Sequence, residues 1–252
     1  MARQVYFISD IHLNCYHSES ENRKRGYLLD FLDEVKEHKA TLYIVGDMFD
    51  FWFEYRYVIP RHFFRVLRQL QEMVDAGCEI HMLAGNHDYW VGSFFPDELG
   101  IPFHPDSVDI TIDGKRFFIY HGDGILKRDR GYRLMKKILR NRFFIALFRL
   151  IHPGVAFGIA KYISGKSRHL TLRNPELLEQ ERQELIQYGE KTLSQGYDYV
   201  ITGHFHLPTE HRFRTGKFVN LGDWIRYFTF AYFDGHDLHL CYWKPETLQK
   251  SL

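Results

Sequence analysis

Thr41-Leu42-Tyr43-Ile44-Val45-Gly46-Asp47-Met48-Phe49-Asp50 joins an apolar run to a turn that carries two carboxylates. The apolar and β-branched residues predict a buried strand that ends at the glycine. Four other blocks place an Asp, Asn or His directly after an apolar run: Ser9-Asp10-Ile11-His12, Gly85-Asn86-His87-Asp88, His121-Gly122-Asp123 and Gly203-His204-Phe205-His206. Because ligands gather beyond the carboxyl ends of parallel strands, we expect the five blocks to lie close together.

The order of elements around this stretch predicts an α/β fold. Strands and helices alternate in the first third of the chain, over Val5–Ile8, Arg23–Lys39, Thr41–Val45, Pro60–Ala76 and Glu79–Ala84. This alternation indicates parallel strands joined by right-handed crossovers.

The pattern changes in the second half of the chain. It predicts a hairpin over Val108–Tyr120, helical segments over 125–173, a helix over Glu176–Ser194, a strand over Tyr199–Thr202 and short antiparallel strands over Glu210–Trp243. We therefore expect residues 1–252 to form a single domain. Its predicted architecture is a two-sheet α/β sandwich with a helical insertion at residues 125–173, which we call the insertion.

The insertion is strongly basic, although the whole chain carries a net charge of only +1. Residues 127–173 contain 13 Lys or Arg and one acid, Asp129, whereas the rest has 20 Lys or Arg and 31 Asp or Glu. Such asymmetry indicates that an anionic partner docks on this segment.

The insertion also carries long apolar stretches, at Phe143–Phe148 and Val155–Ile163. Apolar helices with a basic rim suit an acyl-chain pocket at an anionic membrane surface. Two alternatives remain open. One is an ordinary cap whose apolar face packs on the sandwich; the other is a nucleic-acid-binding segment, which the length of the apolar stretches makes unlikely.

The cysteines indicate a reducing compartment, because Cys15, Cys78 and Cys241 are far apart and odd in number. No N-terminal signal peptide is visible, and no apolar run approaches the ~20 residues that span a bilayer. We therefore expect a cytoplasmic protein. No obligate protein partner is evident.

The five blocks supply enough donors for two adjacent divalent metal ions. Residues i and i+2 share one face of an extended segment, so the Asp-x-His and His-x-His pairs each point one way. Asp47 is the natural bridging ligand, and two ions ~3.5–4 Å apart can activate water and polarise a phosphoryl oxygen. The sequence therefore predicts a phosphate-ester hydrolase with these metal ligands: Asp10, His12, Asp47, Asn86, His121, His204 and His206.

The ordered blocks resemble the calcineurin-like metallophosphoesterase superfamily over residues 7–206. The resemblance implies a first metal site from Asp10, His12, Asp47 and His206, and a second from Asp47, Asn86, His121 and His204. It also implies that Asn86 and His87 contact the reacting phosphate, that Asp50 orients His87, and that Asp88 and Asp123 support the site.

Further blocks resemble one branch, the bacterial UDP-2,3-diacylglucosamine diphosphatases of lipid A synthesis. They are Gly46-Asp47-Met48-Phe49-Asp50-Phe51-Trp52, His121-Gly122-Asp123 with Asp129 and Tyr132, the insertion with Ser167, Gly203-His204-Phe205-His206-x-Pro208 and Asn220-Leu221-Gly222-Asp223-Trp224. The resemblance implies two Mn²⁺ ions and cleavage of the pyrophosphate to UMP and 2,3-diacylglucosamine 1-phosphate. It also implies peripheral attachment to the cytoplasmic face of the inner membrane, acyl chains within the insertion, and contacts from Asp129, Tyr132 and Ser167 to the sugar phosphate.

One residue departs from that branch, whose best-known members carry Arg where His87 stands. His87 restores the general superfamily pattern and leaves a second function open, a soluble phosphodiesterase or nuclease with a non-lipid substrate. A non-enzymatic scaffold is disfavoured, because every expected ligand position holds a competent residue.

Overall fold

A computed structural model describes residues 4–16, 18–169 and 174–244, without the side chains of 161 and 163–169. Two sheets form the core of this part of the chain, one of six strands and one of five. The predicted two-sheet α/β architecture is thereby confirmed.

The first sheet has the strand order β11-β10-β1-β2-β3-β4. Its strands are β1 (Val5–Ile8), β2 (Thr41–Val45), β3 (Glu79–Leu83), β4 (Phe103–His104), β10 (Thr229–Phe233) and β11 (Leu238–Tyr242). β1 pairs in parallel with β2, and β2 with β3, as the alternating order predicts. β10 pairs antiparallel with β1, so the end of the chain returns to the sheet that the beginning of the chain forms.

The second sheet has the order β5-β6-β7-β9-β8. Its strands are β5 (Val108–Ile112), β6 (Lys115–Tyr120), β7 (Tyr199–Thr202), β8 (Thr209–Arg212) and β9 (Lys217–Asn220). The predicted hairpin is the antiparallel pair of β5 and β6. The tail forms the expected antiparallel hairpins, but they are divided between the sheets, and β9 pairs in parallel with β7.

Helices cover both sheets and fill the insertion. They are α1 (Glu19–Glu37), α2 (Phe64–Asp75), α3 (Arg130–Leu139), α4 (Arg142–Phe148), α5 (Pro153–His169) and α6 (Pro175–Leu193). α1 begins a turn earlier than predicted, because the Ser18 side chain accepts a hydrogen bond from Glu21 N and caps the helix. α2 is preceded by a single 3₁₀ turn at Arg61–Phe63.

The helices of the insertion leave more large apolar side chains exposed than the other helices do. α3 and α4 contain no buried residue, and large apolar side chains such as Leu134, Phe143 and Leu150 are more than half exposed. In the described part of the chain, no single helix is long and apolar enough to cross a membrane; Arg142–Phe148 and Pro153–Ala160 meet that criterion only together and bend by 114°.

Substitution of Phe31 tests how much the hydrophobic core beneath the first sheet contributes to stability. It is fully buried and its ring lies 5.1–5.4 Å from those of Trp224, Phe230 and Trp243. We expect Phe31→Ala to lower the free energy of unfolding by about 3–5 kcal/mol, because the lost contacts leave a cavity. Phe64→Ala, at a ring that is 63% exposed, should cost under about 0.5 kcal/mol. Urea unfolding of the two variants checks this, and equal losses would contradict it.

Candidate metal centre

Potential metal ligands from all five blocks lie together where the strands end. Three overlapping groups have donor atoms within 4.8 Å of one another: Asp10 with His12 and His206, His12 with Asp47 and His87, and Asp47 with His121 and His204. The first three blocks follow β1, β2 and β3, and the last two follow β6 and β7. The cluster therefore lies where the carboxyl ends of strands from both sheets meet.

Asp47 stands between the two sides of this cluster. Its Oδ2 lies 3.6 Å from His12 Nε2 and 3.4 Å from His121 Nε2. On one side His206 Nε2 is 3.5 Å from Asp10 Oδ1, and on the other Asn86 Oδ1 is 3.3 Å from His121 Nε2. One carboxylate thus faces both groups of donors, which is the geometry that a bridging ligand needs.

Left-handed backbone conformations turn the donors into the cluster. Five of the predicted ligands have positive φ: Asp10 (55°), His12 (48°), Asp47 (53°), His204 (70°) and His206 (54°). Non-glycine residues adopt this region rarely, and such strain is concentrated at functional sites. The prediction that the Asp-x-His and His-x-His pairs lie on extended segments is therefore wrong, since both members of each pair are left-handed, and no pattern in a single sequence reports a positive φ at Asp or His.

Glycines at two of the turns allow close packing. Gly46 has φ of 81°, and a Cβ there would lie 2.5 Å from His121 Nδ1. Gly203 has no positive φ; a Cβ there would instead overlap Ser9 Oγ and lie 2.6 Å from Asp10 Oδ2. The requirement at Gly203 is therefore space for a neighbouring block rather than a special backbone angle.

Several buried groups hold the ligands in place. Asp88 accepts hydrogen bonds from the backbone N–H groups of Asp47 (3.2 Å), Met48 (2.8 Å) and Gly85 (2.9 Å). Burial and the charge of Asp47 raise the pKa of Asp88 to about 7, whereas these N–H groups favour its ionised form. Its contacts join the second and third blocks.

Asp223 contacts a predicted metal ligand, although no role is predicted for it from the sequence. Its Oδ2 lies 3.1 Å from His206 Nδ1, and its Oδ1 accepts three backbone N–H bonds from residues 225–227. A carboxylate on the outer nitrogen of an imidazole fixes the orientation of the ring. The only available signal was its position in the Asn220–Trp224 block of the branch resemblance.

His87 is held by Asp50, but not through the carboxylate. His87 Nδ1 donates to the backbone carbonyl oxygen of Asp50 at 2.8 Å, and His87 N donates to Asp47 Oδ1 at 2.9 Å. The Asp50 carboxylate lies instead 3.7 Å from His12 Nδ1. Asp50 is therefore placed to orient both imidazoles. Its backbone carbonyl orients His87, and its carboxylate orients His12.

The donors of the cluster shift one another's pKa values. Burial lowers the pKa of an imidazole, but carboxylates outweigh it and raise the pKa of His12 and of His121 to about 10. Burial and the adjacent His121 lower the pKa of His204 to about 4. Among the described residues, Asp10 Oδ1 and His12 Nε2 are buried without a hydrogen-bond partner. A divalent ion would satisfy both atoms, and the mixed carboxylate, amide and imidazole donors fit such an ion.

Comparison with known proteins decides the family. A model of calcineurin-like phosphoesterases matches residues 3–208. The chain belongs to the calcineurin-like phosphoesterase family. This family uses divalent metal ions to hydrolyse phosphoesters, so the protein is a metal-dependent hydrolase.

Relatives of this phosphoesterase are similar over most of their length. A UDP-2,3-diacylglucosamine hydrolase from Porphyromonas gingivalis is 36% identical over 95% of this chain and 97% of its own. One from Proteus mirabilis is 32% identical over 81% of this chain and 82% of its own. A solved archaeal phosphodiesterase has a TM-score of 0.48 and 15% identity over 95% of this chain and 99% of that chain.

Two of the residues predicted to contact the sugar phosphate, Asp129 and Tyr132, lie at the start of the insertion of the phosphoesterase. Tyr132 has its ring 6.1 Å from that of His204, and its hydroxyl donates to Asp123 Oδ2 at 2.9 Å. Asp129 is half-buried and immediately precedes α3. The Ser167 side chain lies outside the described residues, so its predicted contact is not placed.

Metal binding should release protons. A histidine binds a metal ion as the neutral imidazole. The raised pKa values of His12 and His121 keep both side chains protonated at pH 7 in the metal-free protein. We therefore expect on the order of one to two protons to be released on Mn²⁺ binding, and the affinity to rise with pH toward 10. Calorimetric titration in two buffers of different ionisation enthalpy measures this number. His12→Asn should release fewer protons; the same heat in both buffers would contradict the prediction.

Proposed function

We propose that this phosphoesterase cleaves the pyrophosphate of UDP-2,3-diacylglucosamine, giving UMP and 2,3-diacylglucosamine 1-phosphate. The observation that carries the proposal is the relative of that name, 36% identical over 95% of the chain. The exposed apolar side chains of the insertion support a lipid substrate, because α3 and α4 bury none of their residues. An ordinary cap that packs its apolar face on the sandwich would bury them.

The donors divide into two proposed metal sites that share Asp47. The first comprises Asp10, His12, Asp47 and His206, and the second Asp47, Asn86, His121 and His204. Their mutual distances support the division, since Asp47 Oδ2 is within 3.6 Å of an imidazole nitrogen on each side. Two bound ions, which we propose to be Mn²⁺, supply a Lewis acid for the phosphoryl oxygen and a water of lowered pKa.

The proposed catalytic residue is His87, which contacts the reacting phosphate together with Asn86. The hydrogen bond from Nδ1 to the Asp50 carbonyl fixes a proton on that nitrogen and leaves Nε2 for the substrate. Because Nδ1 already carries a proton, His87 acts from Nε2 only as the imidazolium, which stabilises negative charge that develops on the phosphate or passes its Nε2 proton to the leaving oxygen and becomes neutral. Asp50 positions the ring, and it does so through its backbone.

The headgroup and the acyl chains are proposed to bind beside the insertion. Asp129, Tyr132 and Ser167 are the proposed contacts to the sugar phosphate. A small cavity of about 20 Å³ lies next to Asp50, and Phe51, Phe63 and Phe157 are among the residues that line it. This cavity is too small for an acyl chain, so the proposed acyl site is the exposed apolar surface of the insertion.

The substrate is tested by the products of hydrolysis. Mn²⁺-loaded protein should release UMP from UDP-2,3-diacylglucosamine and, because the acyl chains contribute to binding, much less from deacylated UDP-glucosamine. His12→Asn should lower the rate at least about 100-fold, since it removes a ligand while Asn tolerates the left-handed backbone. His38→Ala, at the exposed histidine that directly follows α1, is the matched control. Turnover of single-stranded DNA or a cyclic nucleotide, with no UMP, would establish the soluble phosphodiesterase or nuclease instead.

We further propose that the insertion docks on an anionic membrane, on the cytoplasmic face of the bacterial inner membrane. The structure divides its basic residues into two sets. Arg133 donates to the carbonyl oxygens of Gly124 and Leu126, and Lys136 and Arg140 pair with Asp123. Exposed cations that support docking are Lys137, Arg142 and Arg149.

Reversal of these three exposed charges tests membrane docking. Each basic residue near an anionic surface contributes about 1 kcal/mol, so Lys137→Glu, Arg142→Glu and Arg149→Glu together should weaken vesicle binding at least about 100-fold. Hydrolysis of a small soluble diester should be unchanged, because these residues are not part of the metal cluster. A variant with Arg23→Glu, Arg65→Glu and Lys191→Glu carries the same charge change outside the insertion. Equal loss of binding to phosphatidylglycerol vesicles in both variants would refute a specific role of the insertion.

A further inference from the structure

The segments that follow the second and third blocks pair with each other, and His87 lies in one of them. Trp52 N donates to His87 O at 3.1 Å, and Glu54 N donates to Trp90 O at 3.1 Å. A parallel bridge joins Phe53 to Trp90 between these two bonds. We call Phe51–Glu54 and His87–Trp90 the paired segments. Since the Asp50 carbonyl that holds the His87 ring directly precedes one of them, a shift of this pair would move the imidazole.

The far end of the paired segments is closed by Glu54. Its carboxylate accepts backbone N–H bonds from Gly92 (2.9 Å), Ser93 (3.0 Å) and Phe94 (3.0 Å). These bonds fix residues 92–94, which come after Trp90, to Glu54, which comes after Phe53. The paired segments thus form one hydrogen-bonded unit with His87 at one end and Trp90 at the other.

The carboxyl end of α3 contacts this unit at two successive residues. Trp90 Nε1 donates to the Leu139 carbonyl oxygen at 2.9 Å. The Arg140 guanidinium lies 4.1 Å from the ring centre of Tyr89. One contact is a hydrogen bond to a carbonyl oxygen of the last helical turn, and the other is a cation–π interaction.

Aromatic packing from α4 extends the same contact. The Phe148 ring lies 4.8 Å from that of Phe53 and stacks at 8° on Trp90 with a centroid distance of 6.4 Å. Phe51 lies 6.3 Å from Phe148 and 5.1 Å from Phe157 of α5. The insertion therefore rests on the paired segments with all three of its helices.

α3 also reaches the fourth block, at the opposite side of the metal cluster. Asp123, directly after His121 and Gly122, accepts from the Tyr132 hydroxyl at 2.9 Å and pairs with Lys136 Nζ at 2.7 Å. Arg140 joins both ends, since its guanidinium lies 3.5 Å from Asp123 Oδ2 as well as against Tyr89. One helix of the insertion therefore connects the loop of a metal ligand to the loop of His87.

We propose that Trp90 and Arg140 are positioning residues, through which the insertion holds His87 against the reacting phosphate. The insertion is then part of the catalytic geometry, and not only a surface for lipid. This inference rests on the proposed role of His87. A displacement of about 1 Å of a reacting group costs up to about 100-fold in rate, so loosening the paired segments should be visible in kcat.

The test uses a small soluble diester, bis-p-nitrophenyl phosphate, which has no acyl chain for the insertion to bind. Trp90→Phe keeps an aromatic ring but removes the N–H to Leu139 and part of the ring surface; Arg140→Gln removes the contacts to Tyr89 and Asp123. Each should lower kcat on the order of tenfold with KM nearly unchanged. Arg130→Gln, at an exposed cation of the same helix α3, should retain the wild-type kcat. Metal content and Tm are measured for every variant, so that lost ligands or unfolding are recognised.

The decisive comparison is made in a His87→Ala background. If Trp90 acts through His87, Trp90→Phe should cause no further loss once His87 is gone. Three results would each overturn the inference. They are a double variant whose loss equals the product of the two single losses, an unchanged kcat in Trp90→Phe, and a wild-type rate in His87→Ala.

A second readout does not depend on turnover. Amide hydrogen exchange of residues 87–91 should accelerate in Trp90→Phe, whereas exchange in β1 and β2 should stay at the wild-type rate. Unchanged exchange at 87–91 would count against the inference. Failure to cleave UDP-2,3-diacylglucosamine would instead overturn the proposed substrate, because the diester comparison contains no lipid.

Discussion

The carboxylate of Asp47 is the buried charge around which this protein is organised. It is almost fully buried, and its oxygens face His12 and His121 at 3.6 and 3.4 Å while also accepting the backbone N–H of His87 at 2.9 Å. Burying such a charge is costly unless it is paired and hydrogen-bonded. The surrounding imidazoles hold its pKa well below the ordinary range against the opposing effect of burial. Every block of the sequence therefore has to be in place before this group is stable.

The sequence was sufficient for the fold class and for the set of residues that meet at the cluster. Strands such as Thr41–Val45 are short, apolar and followed by glycine, and these local features survive in the folded protein. What could not be predicted depends on contacts between distant residues. The carboxylate of Asp50 lies near His12 and its carbonyl near His87, and Asp223 lies against His206 across 17 positions of the chain. Residue identity does not report which atom of a side chain or backbone makes a contact.

The basic residues of the insertion show the same limit of prediction from sequence. A count of Lys and Arg identifies a basic segment but treats all its cations alike, whereas the structure separates them by direction. Lys136 and Arg140 pair with a buried aspartate beside the metal cluster, whereas exposed cations such as Lys137, among the described residues, are available to a partner outside the protein. Three helices with exposed apolar side chains would be costly in water alone, which is why a lipid partner accounts for them better than an ordinary cap.

The division of the ligands between the two sheets has a consequence for biosynthesis. Asp10, His12, Asp47 and Asn86 follow strands of the first sheet, whereas His121, His204 and His206 follow strands of the second. A ribosome-bound chain that has emerged only through β4 holds four of the seven proposed ligands and lacks the three that follow strands of the second sheet. The complete cluster arises after His206 has been synthesised and the sheets have docked, so capture of metal marks the completion of folding rather than its beginning.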